Sequence, residues 1–136
     1  MLNAAAIGDG SPSSRPKTLL IVEDNVLVRY ATADALRYAG YDVLEASSAD
    51  EAISILTAVS VDLLFVDVNV PTEGEGLAVA RFARQRRPGM PVVFTSGRVS
   101  ATLRAQLKEI GPFVPKPYLI SGVIKMIGKK LSETRK

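Results

Sequence analysis

What most constrains this chain is a set of short runs that are apolar at every position. Thr18-Leu19-Leu20-Ile21-Val22, Leu63-Leu64-Phe65-Val66 and Val92-Val93-Phe94 each offer apolar side chains to both faces of a strand. That pattern suits a parallel sheet covered by helices on both sides. From Lys17 onward, short β-rich runs alternate with longer stretches of helical spacing five times over. The expectation is an α/β fold, a doubly wound, five-stranded parallel sheet of flavodoxin-like (βα)5 type.

The spacing predicts strands over Thr18–Val22 and Asp42–Ala46, from Asp62 to Asp67, over Pro91–Thr95 and over Pro112–Val114. A first helix runs from Val26 to Ala39, with Val28, Ala31, Ala35 and Ala39 inward, Asn25 at its start and Gly40 as its stop. Ser48-Ala49-Asp50-Glu51 forms a capping box before Ala49, Ala52, Ile53 and Leu56 at helical spacing. A third helix turns Leu77, Ala80 and Ala83 inward and closes at Pro88-Gly89. A fourth spans Ser100 to Glu109 with Leu103 and Leu107, and a fifth spans Leu119 to Leu131. In the last, Gly122 and Gly128 each cost about 1 kcal/mol relative to Ala, so packing of Leu119, Ile120, Val123, Ile124 and Ile127 must hold it. Residues 1–16 read as an N-terminal tail, 17–131 as one domain and 132–136 as a short C-terminal tail.

Composition narrows the chemistry. There are 136 residues, 47% of them hydrophobic, which is one ordinary domain with a real core. The chain has no cysteine and no histidine, so disulfides, thiolate sites and imidazole acid/base work are excluded. Without an apolar stretch of membrane-spanning length or a secretory signal, a cytoplasmic protein with no membrane partner is expected. The net charge of +3 does not imply nucleic acid. Its cations gather at Arg81, Arg84, Arg86 and Arg87, and at Lys125, Lys129, Lys130, Arg135 and Lys136, mostly near helix ends, where they complement the helix dipole.

Asp67 ends a buried apolar strand, and a carboxylate there requires a cation or hydrogen-bond donors. Ligands of an open parallel sheet bind beyond the carboxyl ends of its strands. Those ends carry Glu23 and Asp24 after the first strand, Asp67 after the third, Ser96 after the fourth and Lys116 beyond the fifth. Three carboxylates together repel unless a cation joins them. An all-oxygen set, completed by the Asn69 backbone carbonyl, suits Mg2+. Lys116 adds a fixed positive charge and Ser96 a hydroxyl, which together describe a carboxylate nucleophile whose phosphorylated product is neutralised from several sides.

In Val22-Glu23-Asp24-Asn25, Val66-Asp67-Val68-Asn69-Val70-Pro71, Thr95-Ser96-Gly97 and Phe113-Val114-Pro115-Lys116-Pro117, in that order and spacing, the chain resembles the receiver domain of two-component response regulators. The resemblance covers Thr18 to Leu131 and implies the strand order 2-1-3-4-5, an order shared with the chemotaxis regulator of that family. It implies that Asp67 accepts a phosphoryl group from a phosphohistidine of a sensor histidine kinase or phosphotransfer protein, which would supply the missing imidazole. It further implies that Glu23, Asp24, Asp67 and the Asn69 carbonyl hold Mg2+, with Asp24 the more direct of the acidic pair. By the same likeness Lys116 pairs with the phosphoryl group, the Lys116–Pro117 bond is cis, and Ser96 and Phe113 are the switch residues. The face of the fourth helix, fifth strand and fifth helix would then meet a target or dimer mate.

Two departures bear on the expectation. The loop Pro71-Thr72-Glu73-Gly74-Glu75-Gly76 is one residue longer than the common family pattern before its glycine, and Arg98, two residues beyond Ser96, is expected to modulate access to the site. Only Ser132 to Lys136 follow the last predicted helix, so a stand-alone receiver that is not an enzyme, beyond its own phosphorylation and dephosphorylation, is the working expectation. It would act as a switch or as a phosphate sink. A phosphorylation-independent scaffold and the excised receiver of a hybrid kinase stand as alternatives. A flavodoxin-like nucleotide binder is disfavoured, because no Gly-rich phosphate loop follows the first strand.

Overall fold

A computed structural model describes residues 15–133. Residues 1–14 and 134–136 of the two expected tails lie outside the described residues, while Arg15 and Pro16 are exposed. The elements follow as β1 (Thr18–Val22), α1 (Val26–Tyr38), β2 (Asp42–Ala46), α2 (Ala49–Ala58), β3 (Leu63–Asp67), α3 (Glu75–Arg86), β4 (Val92–Ser96), α4 (Ala101–Lys108), β5 (Phe113–Pro115) and α5 (Ile120–Glu133). All four neighbouring strand pairs are parallel, in the order β2-β1-β3-β4-β5. The expected flavodoxin-like topology is therefore the observed one.

The apolar runs divide by alternation, as both-face burial requires. Leu20, Val22, Leu64, Val66, Val92 and Phe94 pack with Ala52 and Leu56 of α2, Leu77, Ala80 and Ala83 of α3, and Leu107 of α4. Leu19, Ile21, Leu63, Phe65 and Val93 pack with Ala33 and Leu36 of α1 and Val123, Ile127 and Leu131 of α5. Burial of each large apolar side chain contributes about 1.5–3 kcal/mol, so the two faces together fix which side of the sheet each helix covers.

Helix starts follow sequence chemistry closely. The side chains of Asn25, Ser48 and Ser100 accept hydrogen bonds from the N–H groups of Val28, Glu51 and Leu103. In the capping box, the Glu51 carboxylate reaches back to the N–H of Ser47, at 2.7 Å, one residue before the cap. Gly40 ends α1 at φ 108°.

Three expectations are corrected. The inward face of α1 is Thr32, Ala33 and Leu36, with Ala31 and Ala39 exposed. The alanine stripe offered little area to bury, and the single large Leu36 set the rotation instead. Leu119 is 78% exposed and precedes α5, which then runs two residues past Leu131, to Glu133. The fifth strand is shifted one residue, to Phe113–Pro115.

Candidate functional site

The parallel ladder does not stop at the strand ends. Beyond them Glu23 N–H donates to Ala46 O, Val68 N–H to Thr95 O and Lys116 N–H to Ser96 O, at 2.9–3.0 Å. These bonds carry the sheet's register into the loops and bring the side chains that follow β1, β3, β4 and β5 to one rim.

Asp67 is 4% exposed. Its Oδ1 accepts from the Asn69 N–H at 2.9 Å and its Oδ2 from Lys116 Nζ at 2.7 Å. Lys116 Nζ also lies 2.6 Å from Glu23 Oε1, while Glu23 Oε2 accepts from the Asn25 N–H at 3.0 Å. One ammonium therefore bridges two buried carboxylates. Carboxylate oxygens of Glu23, Asp24 and Asp67 all lie within 4.8 Å of one another, and Asp24 is exposed at the mouth of the group.

The electrostatics follow from this crowding. Burial raises the pKa of Glu23 and the charge of Asp67 adds to the effect, while the hydrogen bonds from Lys116 and the Asn25 N–H oppose it. Burial works to lower the pKa of Lys116 but is outweighed by its bonds to Asp67 and Glu23, so the ammonium is held above its ordinary value. Three carboxylates against one ammonium leave an excess of negative charge at a rim where two of the carboxylates are buried and one is exposed. An oxygen-only donor set with that excess fits a hard divalent cation such as Mg2+.

Ser96 is 1% exposed and held fast. Its Oγ donates to Arg98 O at 3.0 Å and accepts from Asn69 Nδ2 at 3.0 Å and from the Arg98 N–H at 3.3 Å. Asn69 Nδ2 is shared with Arg98 O, at 3.2 Å. Arg98 itself is exposed and lines a cleft of about 480 Å³ with Asn69, Pro71 and Glu73. Phe113 is half-buried and stands outside the hydrogen-bonded group, its ring covered by the Arg104 guanidinium 4.5 Å from the centroid. The Lys116–Pro117 bond is cis, as expected, and so is Val70–Pro71, which was not.

The long loop resolves by dividing labour between two glycines. Gly74 takes φ 93° and caps α3, a backbone state that favours glycine. Gly76 lies under the strand end: a Cβ there would stand 2.1 Å from the Asp67 carbonyl oxygen. The extra residue is thus absorbed ahead of the glycine that touches β3.

Four side-chain contacts escaped sequence reasoning. The Asn69 carboxamide clamps Ser96, and Arg104 covers Phe113. Arg29 Nη1 donates to the Glu23 carbonyl at 3.0 Å while its Nε pairs with Glu45, which pins the β1–α1 loop to β2. The Tyr118 hydroxyl meets Thr32 Oγ1 at 2.7 Å and its ring meets Phe65 edge-on, tying the segment after Lys116 to α1. An asparagine, an arginine and a threonine at helical or loop positions carry no signal until the fold supplies partners remote in sequence.

A family model described as the response regulator receiver domain matches residues 19–127. The chain is 30% identical over 121 residues to the DNA-binding transcriptional regulator NtrC of Rhizobium meliloti, which covers 88% of this chain and 25% of that protein. It is 31% identical over 120 residues to the sensor kinase CckA of Brucella abortus, covering 85% of this chain and 13% of the kinase. The chain thus spans a quarter or less of the length of these relatives. Among solved structures, a CheY-like response regulator receiver domain protein from Methanospirillum hungatei superposes with a TM-score of 0.82 at 26% identity, covering 88% of this chain and 97% of that one. The receiver domain of the hybrid histidine kinase CckA superposes with a TM-score of 0.70 at 34% identity, covering 84% of this chain and 98% of that one.

Proposed function

The chain belongs to the response regulator receiver domain family, and from that membership and the geometry of its rim we propose that Asp67 accepts a phosphoryl group from a phosphohistidine of a sensor histidine kinase or phosphotransfer protein. The observation that carries the reading is the contact of Lys116 Nζ with Asp67 Oδ2 at 2.7 Å, beside two further carboxylates within metal-binding reach. In the transfer, an Asp67 carboxylate oxygen forms the new P–O bond as the P–N bond to the donor imidazole breaks, and the imidazole nitrogen keeps the bonding pair. Phosphoryl transfer is catalysed mainly by positioning and charge stabilisation, and those are what this rim offers.

Glu23, Asp24, Asp67 and the Asn69 carbonyl would hold Mg2+, which when bound neutralises charge on the phosphoryl oxygens. Lys116 supplies a fixed positive charge, and the two carboxylates it bridges keep it protonated. Ser96 is the hydroxyl that turns towards the phosphoryl group, for which it must give up Arg98 O and Asn69. Phe113 follows as the aromatic switch, and Arg98 governs entry through the cleft it lines. The domain is a signalling phosphoacceptor that catalyses only its own phosphorylation and dephosphorylation, in the cytoplasm. Among the described residues no helix is long and apolar enough to cross a membrane.

The output is a change at the face of α4, β5 and α5 that a target or dimer mate reads; without such a reader the domain drains phosphoryl groups as a sink. Incubation with Mg2+ and acetyl phosphate tests the reading. One added phosphate by intact mass, lost in Asp67→Asn and in EDTA, supports it. Absence of both phosphate uptake and Mg2+-dependent beryllofluoride binding would overturn it in favour of a phosphorylation-independent scaffold.

A further inference from the structure

The three carboxylates of the rim are not held alike. Glu23 meets Lys116 Nζ at 2.6 Å and the Asn25 N–H at 3.0 Å, and Asp67 meets Lys116 Nζ at 2.7 Å and the Asn69 N–H at 2.9 Å. Asp24 is exposed, and among the described residues no hydrogen bond or ion pair holds its side chain. Where its carboxylate stands is therefore set by its backbone, and first of all by the peptide that joins it to Glu23.

That peptide has a clamp of its own. Its oxygen, the Glu23 carbonyl, accepts from Arg29 Nη1 at 3.0 Å. Arg29 stands at the start of α1, where its N–H donates to Asn25 O at 2.9 Å, and its Nε pairs with Glu45 Oε1 on β2 at 3.1 Å. The other oxygen of Glu45 is held by Arg37 Nη2 at 3.0 Å, which also donates to Val43 O at 2.9 Å. The side chains of Arg29 and Glu45 are largely buried, at 17% and 25% exposure. A guanidinium is planar and its donors keep fixed directions, so a hold on Glu45 by Nε fixes where Nη1 lies. The contacts run from β2 through Glu45 and Arg29 to the Glu23–Asp24 peptide.

We propose that Arg29 is a positioning residue for a divalent cation at the rim: by gripping the Glu23 carbonyl it orients the peptide from which Asp24 projects, and so aims the one unanchored carboxylate. The proposal rests on the reading of the rim as a Mg2+ site and not on phosphoryl transfer. Groups that orient a metal ligand without touching the metal set its affinity. A rival account, in which Arg29 acts through its charge alone, differs in sign. As a charge, Arg29 repels a divalent cation, and its removal tightens binding. As a holder of ligand geometry, its removal weakens binding even though a cation has been taken away.

Calorimetric titration of the full chain with magnesium chloride at fixed ionic strength tests this, for the wild type, Arg29→Met, Arg29→Lys and Arg37→Met. Arg29→Met is expected to bind Mg2+ roughly tenfold more weakly, the low end of what loss of such an outer contact costs. Arg29→Lys keeps the charge but not the fork, serves one partner at a time and is expected to fall nearly as far. Arg37→Met takes the other cation from Glu45 without touching the Glu23 carbonyl, and wild-type affinity is expected of it. In the metal-free protein, hydrogen exchange of the Asn25 N–H, which is bonded to Glu23 Oε2, is expected to quicken in both Arg29 variants and not in Arg37→Met. Cooperative urea unfolding of each variant shows that it is folded. Unchanged or tighter Mg2+ binding by Arg29→Met, full affinity in Arg29→Lys, or an equal loss in Arg37→Met would overturn the proposal and leave the rim a metal site. A wild-type chain that binds no Mg2+ would overturn the proposal together with that reading.

Discussion

Replacing Lys116 by Met tests the electrostatic core of the site, because Met keeps much of the apolar stem and removes only the charge. In the wild type the ammonium lies 2.6 Å from Glu23 and 2.7 Å from Asp67, whose side chains are 4% and 6% exposed. Removing one member of a buried ion pair costs about 3–5 kcal/mol. Lys116 is itself 23% exposed, so water already screens part of the interaction and the lower end applies, about 2–3 kcal/mol. In urea at pH 7 with EDTA this lowers the unfolding midpoint by roughly 1–2 M for a domain of this size. The sign with pH follows from Glu23. Its folded pKa is already raised above 4.5, and Lys116 is among the groups that hold it down. With Lys116 gone it rises further, so the folded variant binds protons more tightly than the unfolded chain. That contribution to stability is then fully present below the ordinary carboxylate pKa of the unfolded chain and is lost as pH rises through the raised folded value. Mg2+ restores part of the loss at pH 7, about 1.4 kcal/mol at ten times its dissociation constant. Adding Asp67→Asn, which removes one of the stranded carboxylates, returns at least half. A loss below about 0.5 kcal/mol that is indifferent to Mg2+, pH and Asp67→Asn would refute the account of Lys116 as the bridge between buried charges.

Other outcomes follow from the same contacts. Gly76→Ala puts a methyl group 2.1 Å from the Asp67 carbonyl oxygen, and is expected to cost about 1–3 kcal/mol in thermal unfolding and to slow acetyl phosphate incorporation; unchanged kinetics would separate the loop from the site. Asn69→Ala removes a 3.0 Å bond that Ser96 must give up under the proposed function, so beryllofluoride affinity should rise about three- to tenfold, for a bond of about 1 kcal/mol, with weaker binding as the contrary result. Because burial raises the pKa of Glu23, protons compete with Mg2+ at higher pH than at an ordinary glutamate, and calorimetric Mg2+ affinity should decline steadily as pH is lowered from 8 to 5. Tyr118→Phe leaves the buried Thr32 hydroxyl without its 2.7 Å partner and should cost about 1–2 kcal/mol in urea unfolding with Mg2+ affinity unchanged.

How much of this was legible in the sequence depends on what carries each feature. The sheet was legible because runs such as Leu63–Val66 are apolar at both parities, and burial on two faces is the only arrangement that uses them. Glu23, Asp24, Asp67, Ser96 and Lys116 were legible because each ends or follows a strand, and a parallel sheet gathers its strand ends on one edge. The α1 face was misread because alanines mark a helical period without the area to decide which side is buried; Leu36 decided it. Contacts such as Asn69 with Ser96, 27 residues apart, or Arg29 with the Glu23 carbonyl, depend on rotamers inside an assembled rim. Residue type alone gives no hint of them.

The described arrangement gathers three carboxylates about one ammonium. Lys116 serves two carboxylates at once, so neither is fully compensated, and the Ser96 hydroxyl is spent on Arg98 O while Asn69 holds it from behind. A divalent cation held by Glu23, Asp24 and Asp67 would offset that excess of negative charge and leave Lys116 to Asp67. By the proposed function, a phosphoryl group on Asp67 would bring about 1.5–2 negative charges and strong acceptor oxygens to the same spot and offer Ser96 a better partner than a backbone carbonyl. Once Ser96 lets go of Arg98, the β4–α4 loop is no longer anchored at its start. That loop leads directly through Val99 into α4, where Arg104 covers Phe113. By the proposed function, a charge gained at the buried Asp67 would reach α4 through this loop.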